Sequence, residues 1–275
     1  MEKWGDKPYH SLDYENKKRF GEKVYKISLA GGTTCPNRDG TLGTRGCCFC
    51  SGSGSGDFAA TKGSITEQIE EAIARVSRYK NAGHHFTAYF QSFTATYAPV
   101  ETLRAAWEEA MAHESVATLA IATRPDCLGD DVLSLLADCC RKMPVTVELG
   151  LQTIHPDTIR YIRRGYPNSV YETAVKNLKN IGVNVVTHVI AGLPGETKEN
   201  FLDTVRYVAD IGSDGIKLQL LHVLKGTDLA LDYENKMFRT LTPDEYLDYI
   251  TEALSILPPD MVCLLYTSDA ADDTP

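Results

Sequence analysis

The chain has 275 residues, 43% of them hydrophobic and 24% charged, which is the composition of a globular protein with one large domain or two small ones. Its formal net charge of −9 argues against a protein that holds nucleic acid through a generally basic surface. Residues 1–20 lack the apolar stretch of a secretory signal and no apolar run reaches the length of a membrane span, so the expected location is the cytoplasm.

Strand-like and helix-like patterns alternate along the chain. Short apolar or alternating runs predict strands at 24–29, 85–91, 118–123, 145–149, 183–190 and 216–221. Helical periodicity predicts helices at 64–81, 100–113, 130–142, 155–163, 169–181, 197–212 and 242–257. Side chains suited to the first position of a helix are Ser64, Asn168, Thr197 and Thr242.

This alternation predicts an α/β fold with a parallel sheet. Because such crossovers are right-handed, six units would curl into an open partial (β/α)6 barrel, with active-site residues at the carboxyl ends of the strands. We therefore expect an N-terminal extension over 1–22, a core barrel over 23–225 and a C-terminal helical extension over 226–261. Residues 262–275 show neither a helical nor a strand period and are expected to be a non-native or disordered tail.

Four of the eight cysteines lie between positions 35 and 50, which indicates metal chemistry rather than a disulfide frame in a reducing compartment. The spacing is Cys35-x11-Cys47-x2-Cys50. A closed zinc site and a fully ligated [4Fe–4S] cluster both require four protein ligands, whereas three thiolates leave one iron open. Cys48 would be an awkward ligand beside Cys47, so we favour a packed free thiol over a fourth zinc ligand.

The stretch CPNRDGTLGTRGCCFC at 35–50 resembles the cluster loop of the YhcC/YtqA family, which belongs to the radical S-adenosylmethionine (SAM) superfamily and is related to the Elongator catalytic subunit. The segments TRPD, ELGLQT, RRGY and HVIAGLPGE extend the resemblance over roughly 8–261. It implies a radical SAM enzyme whose Cys35, Cys47 and Cys50 hold a [4Fe–4S] cluster. In that superfamily the open iron binds SAM, and reduction by a donor such as flavodoxin or ferredoxin gives a 5′-deoxyadenosyl radical.

The same resemblance, together with the polar residues at strand ends, suggests which side chains meet SAM. The candidates are Phe49, Gln91, Ser92, Glu148, Gln152, Arg164 and Gly192. Glu148 has an alternative interpretation, because a carboxylate within a parallel strand needs a partner and an ion pair would supply one. For the substrate end we name His188, Lys217 and His222, and His188 fits a satisfied core histidine nearly as well. No catalytic residue is identified.

Three functions remain open at this point. Relatives of the Elongator type modify the wobble uridine of tRNA, so the first is a radical SAM enzyme on that uridine side chain, with tRNA as the partner. The second is a radical SAM enzyme on a small metabolite or a protein partner. The third is a zinc-binding protein without enzymatic activity, which would use Cys35, Cys47, Cys48 and Cys50.

Overall fold

A computed structural model of the chain describes residues 4–52, 54 and 63–265. Seven strands run in chain order as β1 (Tyr25–Leu29), β2 (Phe86–Phe90), β3 (Val116–Thr123), β4 (Val145–Gln152), β5 (Asn184–Ala191), β6 (Gly215–Leu220) and β7 (Val262–Leu265). The helices are α1 (Leu12–Phe20), α2 (Ile65–Tyr79), α3 (Val100–Ala112), α4 (Asp130–Cys140), α5 (Pro156–Tyr161), α6 (Asn168–Asn180), α7 (Lys198–Ile211), α8 (Asp228–Glu234) and α9 (Pro243–Ile256).

All seven strands are parallel, and each pairs with the next one in the chain, in the order β1-β2-β3-β4-β5-β6-β7. They form a curled half-barrel, so the predicted α/β partial barrel is confirmed. Parallel strands need crossover connections, and the helices supply them. The carboxyl ends of the strands therefore share one rim, which we call the upper rim.

The strands divide their side chains between two environments. In β4, Val147 and Leu149 pack with the helices in the main hydrophobic core, whereas Thr146 and Glu148 point to the concave face of the sheet, which we call the lumen. Successive residues of a strand face opposite sides, so the alternation VTVELGLQ in this strand produces both surfaces. The polar residues of this strand consequently face the lumen, and the carboxyl ends of the strands, where sequence analysis placed the site, lie at the upper rim.

Three of the four residues predicted to cap a helix do so. Ser64, Thr197 and Thr242 each cap a helix and close a capping box, as expected. Asn168 differs, because Pro167 precedes α6 as its cap and Asn168 is the first helical residue. Its side chain instead accepts a hydrogen bond from Arg164 and donates one to the carbonyl of Ile154.

The number of strands corrects the prediction of six. Residues 262–265, assigned to a non-native or disordered tail, form β7 and pair with Gly215–Leu218 of β6. The run Val-Cys-Leu-Leu is apolar, and it covers the open edge of β6. Residues 266–275 of the predicted tail lie outside the described residues. Two short helices, α1 and α8, were also not predicted.

The N-terminal extension is joined to the last described strand. Ser11 forms a parallel bridge with Cys263, whose N–H donates to the carbonyl of His10 at 2.7 Å. Below the lumen, at the amino ends of the strands, lies a cavity of about 570 Å³. Small side chains leave it open, among them Thr87, Ala120 and Thr146. No helix in the described ranges is long and apolar enough to cross a membrane.

Candidate active site

The loop that follows β1 carries the three predicted cluster ligands and is fixed to the upper rim. The Thr33 hydroxyl donates to the carbonyl of Ser92 at 3.1 Å, and the N–H of Thr94 donates to the carbonyl of Thr34 at 3.1 Å. Within the loop, the N–H of Arg38 donates to the carbonyl of Cys35 at 2.8 Å. These bonds hold the loop at the carboxyl ends of β1 and β2, as the sequence predicts.

All three predicted ligands lie on this loop, and two of them interact directly. The thiols of Cys47 and Cys50 are hydrogen-bonded to each other. Cys48 points the other way into an apolar cluster with Ile162 and Leu229. The expectation that Cys48 is packed in an apolar environment is therefore confirmed. In the described part of the chain, no group of three or more cysteine, histidine or carboxylate side chains could hold a metal ion in its present arrangement.

Positive charge and hydrogen bonds surround Cys47. Its pKa falls to about 6, first because Cys50 donates a hydrogen bond, and then because Arg124, Asn37 and Arg163 favour the thiolate against the opposing effect of burial. Burial raises the pKa of Cys48 to about 12, so that thiol stays neutral. The hydrogen bond with Cys47 and then burial raise the pKa of Cys50 as well, so within this pair the thiolate, the form that binds iron, is favoured on Cys47.

Arg163 and Asn37 are functional residues that sequence analysis missed. The Asn37 amide donates to the carbonyl of Arg163 at 2.8 Å and contacts the Cys47 sulfur at 3.5 Å. Arg163 has a left-handed φ of 57°, donates from Nε to the carbonyl of Gly46 at 2.9 Å, and pairs with Asp228 at 2.5 Å. Both lie inside motifs that carry the family resemblance, but neither belongs to a ligand type or sits at a strand end, so sequence analysis gave them no role.

We expect Asn37→Ala to lower the reduction potential of the cluster. A hydrogen bond to a coordinating sulfur stabilises the more negative reduced state, so losing about 1 kcal/mol corresponds to about 40 mV for a one-electron couple. The measurement is an anaerobic redox titration followed by electron paramagnetic resonance. Asn37→Asp is the matched variant, because it keeps the shape without the donor. An unchanged potential in both variants would show that the Asn37 amide does not act on the sulfur.

Glu148 occupies the centre of the lumen and is fully surrounded by partners. Oε1 accepts from Lys26 of β1, and Oε2 accepts from Tyr89 at 2.8 Å and contacts His188 at 2.6 Å. Lys217 of β6 lies 3.6 Å from the same oxygen. Burial opposes ionisation, yet Lys26 and Lys217 outweigh it and keep the pKa of Glu148 well below its usual range. Glu148 therefore forms the ion pairs that the alternative interpretation predicts. A contact between Glu148 and SAM stays a prediction.

His188 is part of the same network. Burial and then the nearby charge of Lys217 lower its pKa, which favours the neutral ring. His188 and Lys217, both proposed for the substrate end, are thus brought together by Glu148. His222 is exposed in the segment that follows β6.

Arg164 was predicted to face the SAM carboxylate, and in the structure the protein itself engages its side chain. The side chain is 2% exposed, and its donors reach the carbonyls of Leu151, Thr153 and Tyr166 and the side chain of Asn168. An arginine has five N–H donors, and these five bonds use all of them. A contact of Arg164 with SAM stays a prediction.

The remaining predicted SAM contacts lie on or next to the upper rim. Gln91 donates to the Ser28 hydroxyl at 2.8 Å, and Ser92 is buried at the end of β2. Phe49 is half-buried against the apolar cluster of Cys48. Gly192 has a φ of 84°, and a Cβ at this position would lie 3.0 Å from the Leu241 side chain. A glycine therefore allows Leu241 to pack closely against the backbone. Contact of these residues with SAM stays a prediction.

Gln152 has the most unusual geometry of the predicted contacts. Its φ is 68° and it lies where the β4–β5 register shifts. Its Oε1 is buried and has no hydrogen-bond partner among the described residues. A side chain on Gly150 would lie 3.1 Å from the Gln152 amide nitrogen, so the glycine leaves room for that amide.

The parallel half-barrel, with three cysteines on the loop after its first strand, agrees with the family resemblance found in the sequence. Residues 20–208 match the family model of the radical SAM superfamily, and residues 213–274 match the Radical_SAM C-terminal domain. The chain therefore belongs to the radical SAM superfamily and is a radical SAM enzyme.

Among known relatives, the chain is 42% identical over 270 residues to the uncharacterized protein YtqA of Bacillus subtilis, which covers 96% of this chain and 82% of YtqA. The resemblance to the YhcC/YtqA family is thereby confirmed. A more distant relative is the tRNA uridine(34) acetyltransferase of Methanocaldococcus jannaschii, 29% identical over 154 residues, or 54% of this chain and 28% of that protein.

Among solved structures, the Elp3 of Methanocaldococcus infernus superposes with a TM-score of 0.65 at 18% identity. The match covers 87% of this chain and 55% of the Elp3 chain, so the chain spans about half of that protein. At this identity the likeness concerns the fold alone.

Proposed function

We propose that this radical SAM enzyme holds a [4Fe–4S] cluster through Cys35, Cys47 and Cys50 and cleaves SAM to act on the side chain of the tRNA wobble uridine. The observation that carries the first part is the division of the cysteines. Three cysteines belong to one loop at the upper rim, and two of them are hydrogen-bonded to each other, while Cys48 is buried in an apolar cluster. Three thiolates suit a cluster with one open iron better than a closed zinc site.

The residues present also fit SAM. The buried, unpartnered Oε1 of Gln152 is an acceptor at the upper rim, and Gly150 leaves space beside it. An amino or hydroxyl group of a ligand would satisfy that acceptor, since a buried polar atom without a partner is costly. We propose that Gln91, Ser92 and Gln152 bind SAM, with Phe49 on its adenine side and Gly192 at its edge.

When bound, the cluster and SAM supply a 5′-deoxyadenosyl radical, and the protein orients the groups and excludes water. Arg124, Arg163 and Asn37 favour the thiolate form of Cys47. The charged network around Glu148 keeps Lys217 and His188 in the lumen, where they are our candidates for the substrate end; His222 is a third candidate on the exposed segment after β6. The required electron comes from a donor of the flavodoxin or ferredoxin type in this proposal.

The name of the tRNA uridine(34) acetyltransferase supports tRNA as the substrate, because that relative shares about half of this chain. The fold likeness to an Elp3 agrees with the Elongator-type motifs TRPD and RRGY. The cytoplasm, where tRNA is found, is the location that we propose.

The test combines iron analysis with SAM cleavage. Anaerobically reconstituted protein should contain about four irons per chain and cleave SAM after reduction. Cleavage should increase with tRNA taken from a strain that lacks the protein, and a matched tRNA with cytidine at the wobble position should have no effect. If cleavage ignores tRNA and deletion leaves the wobble uridine unchanged, tRNA is not the substrate. A colourless protein that contains zinc and no iron would exclude the enzyme itself.

A further inference from the structure

The segment that follows β6 is in direct contact with the loop that carries the cysteines. The N–H of Leu229, the second residue of α8, donates to the carbonyl of Cys48 at 3.0 Å, and the N–H of Cys48 donates to the carbonyl of Ile162 at 3.3 Å. The side chains of these three residues are buried in one apolar cluster. The residue next to Cys47 is therefore held by α8 on one side and by the end of α5 on the other.

Asp228, the first residue of α8, places its carboxylate between two arginines. Its Oδ2 lies 2.5 Å from Nη1 of Arg163 and 3.6 Å from Nη1 of Arg45. The side chain of Arg45 is 71% exposed, whereas those of Arg163 and Asp228 are 28% and 37% exposed. Water screens an exposed pair, so Arg163 is the stronger partner of this carboxylate.

Arg163 connects this ion pair to the cluster loop. Its φ of 57° lies in the left-handed region, and a strained backbone of this kind persists only where its surroundings fix it. Nε donates to the carbonyl of Gly46 at 2.9 Å, and the carbonyl of Arg163 accepts from the Asn37 amide at 2.8 Å. The same amide contacts the Cys47 sulfur at 3.5 Å. Both the guanidinium and the main chain of Arg163 thus meet the loop beside Cys47.

The charge of this guanidinium is compensated from the side away from the loop. A positive group beside the sulfur ligands of an iron–sulfur cluster stabilises the more negative, reduced state, because net charge is one of the factors that set the reduction potential. A carboxylate on the same guanidinium opposes that effect. The opposing group comes from α8, which lies outside the range predicted for the core barrel.

We propose that Asp228 is a positioning residue of the cluster site: it binds Arg163 beside Cys47 and offsets its charge, and the pair sets the reduction potential of the cluster. This inference rests on the proposed function, because it takes the cluster as the group that responds. Asp228 itself touches neither the cysteine ligands nor the loop backbone in this arrangement, and it acts as the counter-charge of Arg163.

The experiment compares reduction potentials, measured by anaerobic redox titration followed by electron paramagnetic resonance. Asp228→Asn keeps the shape and removes the charge, so the reduced state should be favoured about three- to tenfold. That change raises the potential by about 30 to 60 mV, since a tenfold change corresponds to about 59 mV for a one-electron couple. Arg163→Gln, whose amide can still donate to Gly46, should lower the potential by at least as much. The double variant should lie between the two single variants.

Two further variants are the controls. Glu234→Gln removes the same charge from the same helix, but Glu234 is exposed to solvent, so its potential should equal that of the wild-type protein. Asp228→Glu keeps the charge and should restore the wild-type potential. The inference is wrong if Asp228→Asn and Arg163→Gln shift the potential in the same direction, or if Glu234→Gln shifts it as much as Asp228→Asn does.

Iron content and Tm separate this role from a structural one. A lowered Tm with an unchanged potential in Asp228→Asn would reduce Asp228 to a structural residue. If that variant does not retain iron, Arg163→Gln and Asp228→Glu decide the question, and an unchanged potential in Arg163→Gln would overturn the inference. These outcomes differ from a failure of the proposed function, in which the wild-type protein would contain no iron.

Discussion

Cys50→Ala is expected to lower the iron content from about four per chain to nearly none and to abolish SAM cleavage. A [4Fe–4S] cluster with three protein ligands has no spare thiolate at this site, because Cys48 is buried among Ile162, Leu193 and Leu229. Iron and acid-labile sulfide analysis gives the first readout, and 5′-deoxyadenosine formation gives the second. The Tm of the apoprotein checks that the variant folds.

Cys48→Ala is the matched control, since it removes a thiol from the adjacent position. It should keep its iron and its SAM cleavage and should lose about 1 kcal/mol of unfolding free energy, because a buried sulfur is replaced by a smaller group. Loss of the cluster in this control, or its survival in Cys50→Ala, would contradict the ligand assignment.

Glu148→Gln should destabilise the protein by about 3–5 kcal/mol, because it leaves two lysines in the lumen without their carboxylate. The Glu148 side chain is fully buried, and those of Lys26 and Lys217 are 13% and 16% exposed. Urea denaturation measures the loss. Adding Lys26→Met to this variant should recover part of it, since one of the two buried charges is then gone.

Asp157→Asn is the control for this prediction. Asp157 pairs with Arg160, but its side chain is 92% exposed, so the loss should stay below about 0.5 kcal/mol. Equal losses at the two positions would show that burial does not decide the strength of the lumen network.

The network also predicts how stability changes with pH. Both Glu148 and His188 have folded-state pKa values below their usual ones, so the unfolded chain binds more protons in acid. Stability should therefore begin to fall below about pH 6.5, where an unfolded histidine takes up a proton, and should fall further below about pH 4.5 as unfolded Glu148 does. The groups that face this carboxylate are Lys26, Tyr89, His188 and Lys217. We expect the plot of unfolding free energy against pH to be flatter at low pH for Glu148→Gln than for the wild-type protein. A plot parallel to the wild-type one would contradict the assignment of this pH dependence to Glu148.

The cluster loop and most helices and strands could be predicted because their signals are local. The triad spacing, the capping boxes at Ser64, Thr197 and Thr242, and the alternation in β4 all lie within a few residues of what they determine. The seventh strand could not be predicted from the sequence, because Val262–Leu265 forms a strand only through its pairing with β6.

The side-chain contacts that sequence analysis did not anticipate join residues far apart in the chain. Asn37 and Arg163 meet across the upper rim, and Lys26 meets Glu148 across the lumen. Arg164 matched a motif, but the acceptors that use its donors lie in β4 and at the start of α6, and sequence alone does not reveal them.

The order of the strands in the sheet has a consequence for how the chain folds. Every strand pairs with its immediate predecessor, so the sheet can grow one strand at a time as the chain leaves the ribosome, and each step closes only the loop of one crossover. The bridge between Ser11 and Cys263 is the exception, because it joins the segment before α1 to β7. That contact has to wait for the last described strand, so the N-terminal helix docks at the end of folding rather than at its beginning.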